Sequence, residues 1–156
     1  MKIFRGLCVN RIPDLDALRS GLKTSGVPIL QASAAEHFLG GSPGDAWPVP
    51  DASGMGNLVL ALPLDRRECD LFGRREPIGQ AELEFVEFIN KPLKGLVTEK
   101  KIDQHSKSPS GGDLHTLGYL WTAVGKPNAV AFFFSTDSSA SADIQVKATE
   151  AIVSAP

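Results

Sequence analysis

The chain has 156 residues, 42% of them apolar, which is the size of one domain with a core of its own and leaves little room for a second. With 16 Lys+Arg against 18 Asp+Glu the net charge is −2, so the molecule as a whole exerts no pull on nucleic acid or an anionic membrane, and such binding needs a local patch. No run approaches the roughly 20 apolar residues of a membrane span, and the first ten residues lack the apolar core and cleavage site of a signal peptide.

From Lys2 to Ile12 the apolar Ile3, Leu7 and Val9 interleave with Phe4, Gly6 and Cys8, which predicts an internal strand covered on both faces. Arg5 and Arg11 share the face of Leu7 and Val9 and bring one end of it to solvent. Pro13 breaks the strand, and Asp14 caps a helix whose stripe is Leu15, Leu18 and Leu22, with Gly26 as its stop. "VPIL" at 27–30 predicts a short strand, and Ser33 caps a brief helix through Phe38 and Leu39. Residues 40–56, rich in glycine and proline, predict a long loop. Trp47 in that loop is either the anchor of a lid or, with Pro48 and Pro50, an exposed contact for a partner. "NLVLALPLD" at 57–65 is a clear strand that runs into the charged "RRECD".

"PIGQAELEFVEFINKP" predicts a helix closed before Pro92, with Glu82, Glu84 and Glu87 as its wet face. "LKGLVTEKKID" predicts a strand that enters a flexible polar loop at about 103–113. "LGYLWTAV" and "AVAFFFST" flank "GKPN" as a hairpin, and Ser139 or Ser141 caps a last helix with the stripe Ile144, Ala148, Ala151 and Ile152. The order of elements predicts a single α+β domain over 1–156, with a mostly antiparallel sheet and two to four helices packed mainly on one face. The two cysteines, Cys8 and Cys69, are the usage of a reduced compartment, which leads to the expectation of a cytoplasmic protein; a single Cys8–Cys69 bridge stays open.

The polar loop holds His105, Ser106, Ser108, Ser110, Asp113 and His115. If 113–116 begins a strand, Asp113 and His115 project from one face, and with His105 they can bind a metal or act as base and orienter. Zinc needs three or four convergent ligands and a nucleophilic serine needs a histidine held by a third group, and nothing in the spacing enforces either. The ordinary origin of such residues is a solvated loop. No glycine-rich stretch has the spacing of a phosphate cradle, and no cofactor or metal is called for. The pairs Arg66–Arg67 and Arg74–Arg75 and the lysines that follow make the middle of the chain locally basic, although acidic residues alternate with them.

The stretch "FRGLCVNRIPDLDALRSGL" resembles the opening of the recombination-associated RdgC family, with Phe4, Arg5, Leu7, Val9, Arg11 and Ile12 at the matching positions. "AWPVP" is similar to that family's next landmark, and the stretch from Leu120 to Val146 resembles its hairpin, serine-containing turn and helix, so that 4–65 and 118–153 carry the likeness. The resemblance implies non-enzymatic, sequence-independent binding of duplex DNA and modulation of recombination. Arg5, Arg11, Arg66, Arg67, Arg74 and Arg75 are then the candidates for phosphate contact. The second reading is a protein-binding inhibitor or immunity-type domain acting through Trp47, Pro48 and Pro50. The third is a small enzyme using His105, Asp113 and His115. None of the three readings involves a membrane, and a homodimer is open.

Overall fold

The computed structural model describes residues 1–11, 14–51 and 54–155, except for the side chains of 51 and 54–56. Ile12 and Pro13, the end of the expected first strand and its break, lie outside the described residues. Four α-helices, α1 (Lys2–Leu7), α2 (Leu15–Thr24), α3 (Ala32–Leu39) and α4 (Ile78–Ile89), accompany seven strands. The strands are β1 (Gly44–Asp51), β2 (Gly54–Pro63), β3 (Glu68–Gly73), β4 (Val97–Lys107), β5 (Asp113–Thr122), β6 (Asn128–Asp137) and β7 (Val146–Ser154). They form one sheet in the order β1-β2-β3-β7-β6-β5-β4, and every pairing is antiparallel. The fold is therefore α+β, as expected. No helix among the described residues is long and apolar enough to cross a membrane.

Register sorts the side chains. Trp47, Leu60, Leu71, Ala148, Phe134, Leu117 and Asp103 stand in one row across all seven strands. That face carries α1, α2 and α4, and its core includes Phe4, Leu18, Phe85, Phe88 and Ile89. Helix α4 is fastened by aromatic contacts: Phe85 stacks on Phe134 at 4.6 Å, and Phe88 meets the edge of Trp121 at 5.3 Å. Its last carbonyl, Ile89 O, accepts from Trp121 Nε1 (3.0 Å) and from Thr98 Oγ1 (2.9 Å). Of the described helices, α3 alone packs on the opposite face, with Ala35 and Leu39 against Ala46, Ala61 and Phe72. Phe133 stands on the part of that face beyond α3 and is 38% exposed.

Helix α2 forms as expected, with Asp14 Oδ1 accepting from Ala17 N at 2.9 Å. Its Arg19 is buried and donates to Leu62 O and Pro63 O, which ties the helix to the end of β2. Helix α3 starts at Ala32, one residue before the expected cap Ser33, and Gly40 closes it in the left-handed region (φ 59°).

Five expectations are corrected. Residues 2–11 are helical: Phe4 and Cys8, four apart, bury on one side of α1 while Arg5 stays outside. A run that is apolar at nearly every position carries no period by which helix and strand can be told apart. Residues 27–30 are coil, joined to β1 by Leu30 N donating to Ala46 O at 2.8 Å. The loop 40–56 is mostly β1 and the start of β2. Pro48 and Pro50 suit a strand whose sole neighbour is β2, because a proline nitrogen is tolerated on the free edge of a sheet. The loop 103–113 is largely strand, since β4 runs to Lys107 and the turn 108–112 is held by hydroxyls. Ser110 donates to Asp137 Oδ2 at 2.6 Å, Ser108 Oγ accepts from Gly112 N at 3.1 Å, and a Cβ on Gly112 would meet Asp137 Oδ1 at 2.2 Å. The C-terminal helix is strand β7, in which Val146, Thr149, Ile152 and Val153 supply β-branched residues suited to a central position.

Cys8 and Cys69 are joined by a disulfide that ties α1 to the middle of the sheet across 61 residues of sequence, the bridge that the sequence left open. Closing a loop of that length removes about 4 kcal/mol of unfolded-chain freedom in the loop-entropy account. Beside Cys69 in the ladder stands Glu150, 1% exposed, with neither carboxyl oxygen hydrogen-bonded. Burial pushes its pKa up to about 8, against the pull of Arg67 and with the help of Glu68. Glu68 is itself raised to about 7, by burial first and then by Asp70.

An acid whose folded pKa exceeds its ordinary value of 4.5 costs nothing below that value and progressively destabilises as pH rises towards the folded pKa. Glu150→Gln is therefore expected to leave the melting temperature unchanged at pH 4 and to stabilise by roughly 2–4 kcal/mol at pH 8. Thermal melts of both proteins across pH 4–9 check this; parallel curves would show that Glu150 keeps an ordinary pKa.

Candidate metal centre

Two histidines meet at the outer end of the sheet. Register places His105 on β4 directly opposite His115 on β5, and their rings stack at 4.0 Å with planes 8° apart. The pairing depends on an irregularity. The β4–β5 register shifts between Lys100 and Ile102, which adds one residue to β4. Such a bulge changes which residues face which side. It brings Asp103 and His105 onto the helix-bearing side, where strict alternation from Thr98 would put Lys100, Ile102 and Gln104.

Helix α4 reaches the same place from above. Its Glu82 Oε2 lies 3.0 Å from His115 Nδ1, and Asp103 Oδ1 lies 2.9 Å from His115 Nε2. With a carboxylate at each ring nitrogen, the protonated imidazolium donates in both directions. Partial burial opposes that charge, but the hydrogen bonds to Asp103 and Glu82 outweigh it, and the pKa of His115 is raised above 6.5. Asp103 is held down to about 2, by Lys100 first and then by His115.

One ligand atom from each of Asp103, His105 and His115 falls within 4.8 Å of the others, and no other such group of three is found among the described residues. A tetrahedral zinc with ligand bonds of about 2.0–2.1 Å keeps its donors about 3.3 Å apart, so small side-chain rotations close the set. With a metal bound, a carboxylate in the position of Glu82 would hold the Nδ1 proton and leave Nε2 to the ion.

Of the residues singled out in the sequence, His105 and His115 come together, and Asp113 does not join them. It lies on their face but pairs with Lys107. Asp103 and Glu82 take the acidic roles; Asp103 was legible in principle, two residues before His105, whereas Glu82 is 33 residues from His115 in sequence. Ser106 alternates to the other face, opposite Leu114, and Ser108 and Ser110 belong to the turn network. None of the three serines singled out with them is thus set against these histidines.

The two arginine pairs lie at opposite ends of β3. Arg66 and Arg67 precede β3 and Arg74 and Arg75 follow it, so the pairs are about 20 Å apart at the strand rise. Arg66 lies 3.7 Å from both Asp65 and Glu68, and Arg74 lies 3.4 Å from Asp143. Arg5 covers the ring of Phe88 at 5.1 Å, and Arg11 is exposed in the turn after α1. Trp47 is fully buried among Leu60, Leu62 and Leu18, so its indole is core and not an exposed contact; Pro48 is half-buried and Pro50 exposed on the edge strand.

The raised pKa fixes a sign. A histidine held charged in the folded state contributes stability that is fully present below pH 6.5 and is lost as pH rises through its folded value. Asp103→Asn is expected to lower the His115 pKa, read from the imidazole resonances in an NMR titration, and to shrink the pH dependence of stability above pH 6.5. An unchanged His115 titration would remove Asp103 as its counter-charge.

No family model, no curated protein and no solved structure matches this chain.

Proposed function

We propose that the protein is a non-enzymatic binding domain for a first-row transition metal ion, with Zn2+ as the occupant its ligands suit best. The observation that carries the reading is the convergence of Asp103, His105 and His115 with Glu82 behind the His115 ring. Two imidazoles and a carboxylate favour zinc and its neighbours over Ca2+ and Mg2+, which take oxygen ligands. To hold the ion, His115 would release its Nε2 proton to solvent and Asp103 would turn from hydrogen-bond acceptor to ligand. Affinity therefore rises with pH.

Binding without catalysis is the better reading because Asp103 and His105 are exposed at the sheet edge. Metal-assisted chemistry draws its strength from a walled, water-poor site. The separated arginine pairs give less support to a phosphate-tracking surface, and the burial of Trp47 gives none to that residue as a partner contact. The Cys8–Cys69 bridge favours an oxidising compartment over the cytoplasm expected from sequence.

Isothermal titration with ZnCl2 at pH 7.5 is expected to show one site per chain. His105→Ala and His115→Ala should each abolish it, Glu82→Gln should weaken it about 10-fold, and Asp113→Ala should leave it intact. Zinc heats that persist in the His105→Ala/His115→Ala double variant, or no heat with the wild type, would overturn the assignment.

A further inference from the structure

A second site lies on the other side of α4. An open cavity of about 640 Å3 runs between the start of α1, the first half of α4 and the sheet. Its floor is apolar, made by Leu58, Leu71, Val146 and Ala148, and Ile3 and Ala81 form its walls. Its size and lining are those of a pocket for a small organic molecule.

The charge at its mouth selects the ligand. Glu84 accepts from Gln80 Nε2 at 3.0 Å and from the amino group of Met1 at 3.2 Å, and Lys2 adds its field to that carboxylate. Asn57 and Glu76 are engaged as well. Arg75, by contrast, has no hydrogen bond or ion pair among the described residues, although it lines the same mouth. It is also the one non-glycine residue described there with a left-handed backbone, at φ 56°. A bulky residue in that region is strained, and such strain persists where the surroundings or a task hold it. An exposed guanidinium at the rim of an apolar cleft, with no partner among the described residues, fits a carboxylate.

We propose that this cavity binds a small amphipathic carboxylate, the apolar body on Leu58, Leu71 and Ala148 and the carboxylate on Arg75. The site is independent of the metal centre, since it shares no side chain with Asp103, His105 or His115.

The test compares decanoate, decanol and decylamine by titration calorimetry on the wild-type protein and on two variants. Arg75→Gly removes the cation while relieving the backbone, so it retains the fold; Ala81→Phe fills the cleft from an α4 position that is only partly buried. Decanoate is expected to bind the wild type at least ten-fold more tightly than decanol and to leave decylamine unbound. Arg75→Gly should bring decanoate down to the level of decanol, and Ala81→Phe should weaken both. Equal binding of decanoate and decanol to the wild type, decanoate affinity unchanged in Arg75→Gly, or no binding of decanoate would each overturn the proposal.

Discussion

The pairing of β3 with β7 holds the molecule together. β1, β2 and β3 form one meander, β4 to β7 form another, and each closes through neighbours in sequence. Only the ladder from Glu68↔Ala151 to Gly73↔Val146 joins them into a continuous sheet. That seam also carries the two most deeply buried charged residues described, Asp70 and Glu150, each 1% exposed. Asp70 is satisfied there by Thr149 Oγ1 and Lys147, whereas Glu150 has no partner and stays protonated near neutral pH. The disulfide enters at the same point, because Cys69 is the ladder partner of Glu150. A covalent tie thus sits where a buried acid costs stability.

With the seam closed, α4 has one route, from the middle of the sheet after β3 to the outer strand β4. It crosses the helix-bearing face on Phe134, Phe132 and Trp121, and this path decides where both candidate sites fall. Ala81 and Glu84, three residues apart, look into the cavity, while Glu82 reaches the other way to His115. The floor and the metal centre share a row of the sheet: Leu58, Gly73, Val146, Thr136, His115 and His105 follow one another across it. One helix separates two environments that the sheet alone would have left continuous.

How much of this was legible in the sequence follows from what each segment announces locally. Asp14 with the leucines of α2, the apolar run of β2 and the "GKPN" hairpin all declare themselves, because cap, stripe and turn agree with the tertiary environment. Residues 2–11 and 146–154 fail for the opposite reason: their apolar spacing fits either period, and long-range pairing decides. β7 is a strand because β3 and β6 flank it, and its partner β3 begins 78 residues earlier, counting from Glu68 to Val146. The histidine pair could be suspected but not assembled, since its geometry depends on a bulge at Lys101 and on a glutamate from a distant helix. Asp113 was the nearest acid in the expected strand, but the hairpin register gave it to Lys107.

The metal centre and the protection of the sheet edge draw on the same residues. A seven-stranded open sheet presents two free edges, and each must resist pairing with another chain. On β1 the prolines at 48 and 50 remove donors from the outer side. On β4, eleven residues long, charges do this work: Glu99, Lys100, Lys101, Asp103 and Lys107 all stand at the border, pairing with one another or across the hairpin. An edge kept single by charge is also an edge rich in ligand atoms. The bulge at Lys101 twists it further from flatness and turns Asp103 and His105 towards His115. A strand under pressure to stay unpaired thus arrives, by the same charges and the same bulge, at the spacing a transition metal requires.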